Sequence, residues 1–191
     1  MSSTFPDDEG CLRILREEDC SERVIIHCCT VRELAVRVAA LCGADLATVS
    51  SGALLHDLGR CREMGMMHAA VGASMAEDRG LSDELVEIIR RHIGAGIDDE
   101  EARALGLPPG DYFPRNLEQK VVAHADNLTS DDRLVPSKAT AEKLRSRGQH
   151  HAAERVEALH SELTGLCGRD LDSLTARIGR RPPLTGPCAR L

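Results

Sequence analysis

A histidine and an aspartate stand next to each other at the end of an apolar segment, Leu54-Leu55-His56-Asp57-Leu58-Gly59-Arg60. Imidazole nitrogens and carboxylate oxygens are common ligands of divalent metal ions. Neighbouring residues of a helix point about 100° apart, so both side chains can reach one cavity. A left-handed conformation at Gly59 would end the helix there. The dipeptide therefore predicts part of a metal site at a helix end.

Four more ionisable residues lie on or beside the apolar faces of other predicted helices. His27 precedes Val31 by one helical turn, and Asp126 shares a face with Val122. Buried polar groups are costly unless they find a partner, and a pair of divalent cations would supply one. The predicted ligands, all nitrogen or oxygen donors that suit Fe, Mn, Co, Ni or Zn, are His27, His56, Asp57, His68, His92 and Asp126.

The segments that carry these residues all have helical periodicity, and we find no alternation typical of strands. Residues suited to capping precede four of them: Ser21, Asp45, Ser82 and Asn116. Hydrophobic residues make up 42% of the chain but aromatic residues only 2%, so the core must consist of aliphatic side chains, which favour helices. The predicted fold is all-α.

One main domain is expected for a chain of 191 residues. We place it at 10–135, followed by a helical extension packed on it at 136–179. A helix is predicted within the extension at 170–178. The proline-rich residues 180–191 cannot be helical and are predicted to be a mobile tail.

Composition argues against several classes of protein. The net charge of −7 and the absence of Trp disfavour sequence-independent nucleic-acid binding, which uses basic surfaces and aromatic stacking. Apolar runs fall short of the roughly 20 residues that span a bilayer. The segment Met1 to Asp8 lacks the features of a secretory signal, so we expect a reducing cytoplasm. The eight cysteines, which form no Cys-x-x-Cys pair, are then mostly small packing residues.

The order His27, His56-Asp57 and Asp126 resembles the HD superfamily of metal-dependent phosphohydrolases, whose pattern is His, His-Asp and a later Asp. The resemblance covers roughly residues 21–130 and implies a helical bundle. The additional His68 and His92 are similar to a subgroup with two metals. That subgroup includes HD-GYP cyclic-dinucleotide phosphodiesterases, whose Gly-Tyr-Pro signature is absent here, and symmetrical diadenosine-tetraphosphate hydrolases, which the motifs resemble more closely.

The resemblance also implies roles for the ligands. One metal would bind His27, His56, Asp57 and Asp126, and the other His68, His92 and the bridging Asp57. The alternative is a single metal, with His68 or His92 forming only a hydrogen bond to substrate. Activated water would then attack phosphorus without a protein nucleophile. Arg60 stands where the family often has a basic residue and would contact phosphate, although an ordinary surface arginine is the alternative.

The implied activity is hydrolysis of a phosphoester or phosphoanhydride in a nucleotide or small phosphorylated metabolite. Two alternatives remain open, a di-iron oxygenase with the same ligands and a non-catalytic nucleotide sensor. We expect no membrane or nucleic-acid partner, and no oligomeric state is predicted. His124, on the opposite face from Asp126, is predicted not to be a ligand. Asp131 and Asp132 are interpreted as a solvated turn.

Overall fold

The computed structural model describes residues 5–175 and 181–191, and most of these are helical, which confirms the all-α class. A short antiparallel hairpin, β1 (Thr129–Ser130) and β2 (Arg133–Leu134), was not predicted because two-residue strands are too short to show alternation. The α-helices of the described residues are α1 (Asp8–Glu17), α2 (Glu22–Cys42), α3 (Leu46–Leu55), α4 (His68–Asp78), α5 (Asp83–Arg91), α6 (Asp99–Ala104), α7 (Leu117–Asn127), α8 (Ser137–Ser146) and α9 (His150–Cys167).

Capping side chains confirm the predicted starts of four helices. Each of them accepts a hydrogen bond from the backbone N–H three residues later, which satisfies a donor that the first helical turn leaves without a partner. These residues are Ser21, Asp45, Ser82 and Asn116. Gly43, with a φ of 77°, ends α2 in the left-handed conformation. Local sequence signals therefore set the helix boundaries around the site.

Gly59 is required by close packing, and the prediction that it ends a helix in the left-handed conformation is wrong. Helix α3 already ends at Leu55, and the φ of Gly59 is not positive. Gly59 lies in a 3-10 helix (Leu58–Cys61), where an added Cβ would be 1.9 Å from the carbonyl oxygen of His68. The missing side chain lets this segment pack directly against α4, which brings the two predicted ligand segments together.

Helix α2 lies between two groups of buried apolar side chains. Val31 and Leu34 of α2 pack with residues of α3, α7 and α9 in one group. Val24 and Ile25 of α2 pack with residues of α1, α3, α4 and α5 in the other. The helices that carry or precede the predicted ligands are therefore held together by these two groups of aliphatic side chains, both of which include residues of α2 and α3.

The predicted extension shares this interior. Val156 and Leu163 of α9, together with Leu171, are buried in the same group as Val122 of α7. The predicted last helix, 170–178, is observed as a 3-10 helix over Leu171–Thr175, and the remainder of it lies outside the described residues. Residues 136–175 are therefore packed on the preceding helices.

The C-terminal segment is not a free tail. Cys188 is fully buried, and the Thr185 backbone N–H and hydroxyl donate hydrogen bonds to Glu33 Oε1 at 2.8 and 2.7 Å. A 3-10 helix (Gly186–Arg190) packs against α1. The prediction of a mobile tail is therefore wrong for 181–191. Prolines exclude an α-helix there but do not prevent packing. Residue 180 lies outside the described residues.

Five of the eight cysteines are buried in the apolar interior, which agrees with the prediction that most are packing residues: Cys11, Cys20, Cys28, Cys29 and Cys188. The structure also pairs Cys20 with Cys61 and Cys29 with Cys188 as disulfides, which was not predicted. Among the others, Cys11 and Cys28 are buried thiols, as predicted, and Cys42 and Cys167 are half-buried. Within 5–175 and 181–191, no helix is both long and apolar enough to cross a bilayer.

Candidate metal centre

The structure brings all six predicted ligands together. His27 projects from α2 and Asp126 from α7, while His68 begins α4. His56 and Asp57 directly follow α3, and His92 directly follows α5. Four of the six residues are buried, whereas the side chains of His27 and Asp126 are 16% and 24% exposed. The cluster is therefore enclosed by helices and open on one side.

The open side of the cluster has four donor residues. The Nε2 atom of His27 is 3.0 Å from Asp126 Oδ1, and that of His56 is 3.6 Å from the same oxygen. Both Nε2 atoms are 3.7 Å from Asp57 Oδ2. These separations suit a shared cation, since ligand atoms about 2 Å from a common ion lie roughly 3 to 4 Å apart. The donor atoms of His27, His56 and Asp57 all lie within 4.8 Å of one another.

The inner side has three donor residues, one of them shared. The other carboxylate oxygen of Asp57, Oδ1, lies 3.1 Å from His68 Nε2 and 3.5 Å from His92 Nε2. The two histidine Nε2 atoms are 3.0 Å apart. The two oxygens of Asp57 therefore face different pairs of histidines.

Two buried atoms of the cluster have no hydrogen-bond partner, His56 Nε2 and Asp57 Oδ1. Such atoms normally cost free energy unless they are satisfied. A cation would satisfy both, because each can donate an electron pair. The donor set and its unpaired atoms thus fit divalent metal binding.

The second nitrogen of each histidine is held by the backbone. The Nδ1 atoms of three histidines contact carbonyl oxygens three residues earlier, at 2.7 or 2.8 Å; these histidines are His56, His68 and His92. For His27 the acceptor is the carbonyl oxygen of Asp131, at 2.6 Å and 104 residues later in the chain. A carbonyl cannot donate, so each Nδ1 carries a proton, and Nε2 is the nitrogen through which each ring would bind a metal.

The electrostatics favour ionised carboxylates. Burial opposes their charge, but the surrounding imidazoles hold the pKa values of Asp57 and Asp126 well below the usual range. Burial likewise opposes protonation of His27 and His56, yet the neighbouring carboxylates raise the pKa of both. The cluster therefore pairs ionised carboxylates with imidazoles that hold protons, and a bound cation would take the place of those protons.

Arg60, the predicted phosphate contact, lies beside the cluster. Its Nε donates a hydrogen bond of 2.7 Å to Asp57 Oδ2, and its Nη1 donates to the carbonyl oxygen of Met64 at 3.3 Å. The side chain is 30% exposed. Its guanidinium therefore reaches both the carboxylate and the solvent-filled space above it.

A cleft of about 730 Å³ opens over His27, Asp57 and Asp126. Besides Arg60, two basic residues that we did not predict line it, Arg23 of α2 and Lys143 of α8. Arg23 lies one helical turn before His27, a spacing that could have identified it. Nothing in the local sequence of α8 indicates Lys143. The remaining polar lining residues of this cleft are Ser21, Asn127, Thr129, Ser130, Asp131 and Thr140.

His124 lies outside the cluster, in agreement with the prediction. It is fully buried, and its Nε2 is 3.0 Å from Nδ1 of His160 on α9. Burial and the neighbouring His160 lower the pKa of His124 to about 3, so this imidazole is neutral. The histidine pair joins α7 to α9.

Similar proteins were found by sequence and by structure. A tRNA (cytidine(56)-2'-O)-methyltransferase of Picrophilus torridus is 45% identical over 171 residues, which cover 90% of this chain and 50% of the relative. An uncharacterized protein of Methanocaldococcus jannaschii is 42% identical over 165 residues, 83% of this chain and 97% of that protein. This chain spans about half the length of the methyltransferase relative.

The HD domain of the L. monocytogenes phosphodiesterase PgpH, solved in complex with cyclic-di-AMP, has a similar fold. The TM-score is 0.55 at 13% sequence identity, over 89% of this chain and 99% of that one. The family model of the HD domain matches residues 24–131, which include all six predicted ligands. Because this match spans more than half of the chain, the chain belongs to the HD domain family.

Proposed function

We propose that this protein is a metal-dependent phosphohydrolase with two divalent cations, one on each side of Asp57. The observation that carries the proposal is the division of its carboxylate: Oδ2 faces His27 and His56, and Oδ1 faces His68 and His92. A carboxylate placed in this way can bridge two ions. Asp126 would complete the site on the open side.

Bound divalent cations supply Lewis acidity and a nucleophile at neutral pH, the chemistry that phosphoester hydrolysis needs. The protein residues would hold and orient the participants. The backbone carbonyls accept from the Nδ1 atoms and so orient the four Nε2 atoms towards the centre. Fe, Mn, Co, Ni and Zn all suit such nitrogen and oxygen donors.

Arg60, Arg23 and Lys143 would bind the phosphate oxygens of the substrate. They lie on three separate elements around the opening of the cleft. Arginine and lysine are the usual side chains that contact phosphate. Arg60 donates a hydrogen bond to Asp57 within the centre. It is therefore the residue we assign to the reacting phosphoryl group.

The substrate we propose is a nucleotide phosphoester. The cleft volume of about 730 Å³ lies within the usual range for small-molecule sites. The PgpH domain, which has the same fold, was solved with cyclic-di-AMP. The name of the Picrophilus relative specifies a tRNA methyltransferase, so a short RNA is a further substrate to test, although our prediction from composition is no nucleic-acid partner.

The test is a hydrolysis screen on purified protein loaded separately with Mn²⁺, Co²⁺, Ni²⁺, Fe²⁺ or Zn²⁺. Substrates would be cyclic and linear dinucleotides, dinucleoside polyphosphates, mononucleotides, sugar phosphates and a short RNA. We expect His68→Ala to abolish turnover and His151→Ala, whose side chain is 83% exposed, to retain it. Metal-loaded protein that consumes oxygen with an organic substrate and cleaves no phosphoester would contradict the proposal.

A further inference from the structure

The turn of the hairpin contacts the metal centre through one backbone atom. Three of the four histidines find their Nδ1 acceptor within their own helical turn. His27 has none there and contacts the carbonyl oxygen of Asp131 at 2.6 Å. Its orientation therefore depends on a segment outside α2.

The backbone of Asp131 has an uncommon conformation. Its φ is 55°, and it is the first residue of the two-residue turn between the paired residues Ser130 and Arg133. Residues other than glycine, asparagine and aspartate rarely adopt such values, and a β-branched side chain strains them most. A change of conformation at this residue would move the carbonyl away from His27.

The same segment carries another predicted ligand. Asp126 lies in the last turn of α7, and β1 begins at Thr129. The Thr129 hydroxyl donates to the Ala125 carbonyl oxygen at 2.8 Å, which ties the strand back to the helix. The stretch 126–131 therefore contacts both nitrogens of the His27 ring. The Asp126 carboxylate lies 3.0 Å from Nε2, and the Asp131 carbonyl oxygen lies 2.6 Å from Nδ1.

We infer that Asp131 is a positioning residue whose backbone carbonyl sets the orientation and tautomer of His27 for metal binding. Its carboxylate contacts the exposed Arg23 at the surface and is not needed for this role. The inference rests on the proposed metal role of His27 and is independent of which phosphoester is cleaved. It assigns a function to a turn that the sequence indicated only as solvated.

Two substitutions separate the backbone from the side chain. Asp131→Gly removes the carboxylate but keeps the positive φ, so we expect unchanged Co²⁺ affinity. Asp131→Val disfavours the positive φ and should weaken Co²⁺ binding about 10- to 100-fold, the usual effect of losing an outer-shell contact. Asp132→Val, in the same turn but without a positive φ, is the matched control and should bind Co²⁺ normally.

Binding would be followed by the visible absorption of Co²⁺, with circular dichroism as the check on folding. Nitrogen NMR of the metal-free wild-type protein gives a readout that needs no variant: His27 should be protonated at Nδ1. Equal losses in the Gly and Val variants would overturn the inference, as would normal affinity in a folded Asp131→Val protein. If that variant does not fold, the wild-type spectrum decides, and a His27 ring without a proton on Nδ1 would overturn the inference.

Discussion

Gly59→Ala should damage both the fold and the inner side of the metal centre. The added Cβ would lie 1.9 Å from the carbonyl oxygen of His68 and 2.6 Å from the backbone nitrogen of Gly72. Ordinary contacts begin at 3.4 Å, so one backbone must retreat by about 1.5 Å. Both clashing atoms belong to backbone that cannot rotate away. The nearer of these atoms belongs to His68, so the movement displaces a predicted ligand.

Gly59→Ala should lower the free energy of unfolding. Overpacking in a well-packed interior usually costs about 1–3 kcal/mol, and a backbone clash puts this variant at the upper end. For a chain of this size, about 2–3 kcal/mol corresponds to a fall in Tm of roughly 4–12 °C. The Nε2 atom of His68 would move away from that of His92, and the inner side would lose a ligand. The bound metal should therefore fall from about two ions per protein to one.

Gly165→Ala is the matched control for this substitution. Gly165 lies in α9, is exposed, and an added Cβ would have no neighbour within 4 Å. The same chemical change should therefore stabilise the helix by about 0.5–1 kcal/mol. Thermal unfolding and metal analysis of both variants test the argument. An unchanged Tm and two bound ions in Gly59→Ala, or an equal fall in Gly165→Ala, would refute it.

Three further predictions follow from the site and the cross-links. Asp57→Asn should lose binding of both cations, whereas His68→Ala should lose one, measured as metal per protein; equal loss in both variants would exclude the bridging role. The neighbouring carboxylates raise the pKa of His27 and His56, so protons compete with metal at these rings as the pH falls through those pKa values. Metal affinity measured by calorimetry should therefore decrease towards acid pH. An affinity that does not depend on pH would contradict this. Cys188→Ser should lower the free energy of unfolding by about 2–4 kcal/mol, because it removes the disulfide to Cys29. Identical Tm values of the unsubstituted protein with and without reductant would argue against that bond.

Much of the centre could be predicted because its ligands lie on helices with local signals. Capping by Ser21 and Asn116 sets where α2 and α7 begin, and the helical period then places His27 and Asp126 on inward faces. The resemblance to the HD pattern supplied the order of the ligands, and the family match agrees with it. The reason for Gly59 could not be predicted, since its close neighbour belongs to another helix.

Residues that act through distant contacts were missed for the same reason. Lys143 reaches the cleft only because α8 packs beside the end of α7, where the Thr140 hydroxyl donates to the Asn127 carbonyl oxygen at 2.5 Å. Asp131 appeared to be a solvated turn because its carboxylate is indeed exposed, while its carbonyl faces His27.

The sequence by itself determined the helical class, the starts of the four capped helices and the inward positions of the predicted ligands, because capping and periodicity depend on residues within a few positions of each other. Only the tertiary structure decided how the Asp57 oxygens are divided between histidine pairs and which carbonyl holds His27. It also decided the disulfides, whose partners are 41 and 159 residues apart. These features depend on how whole helices pack, and no local pattern encodes the distance between side chains so far apart in the chain.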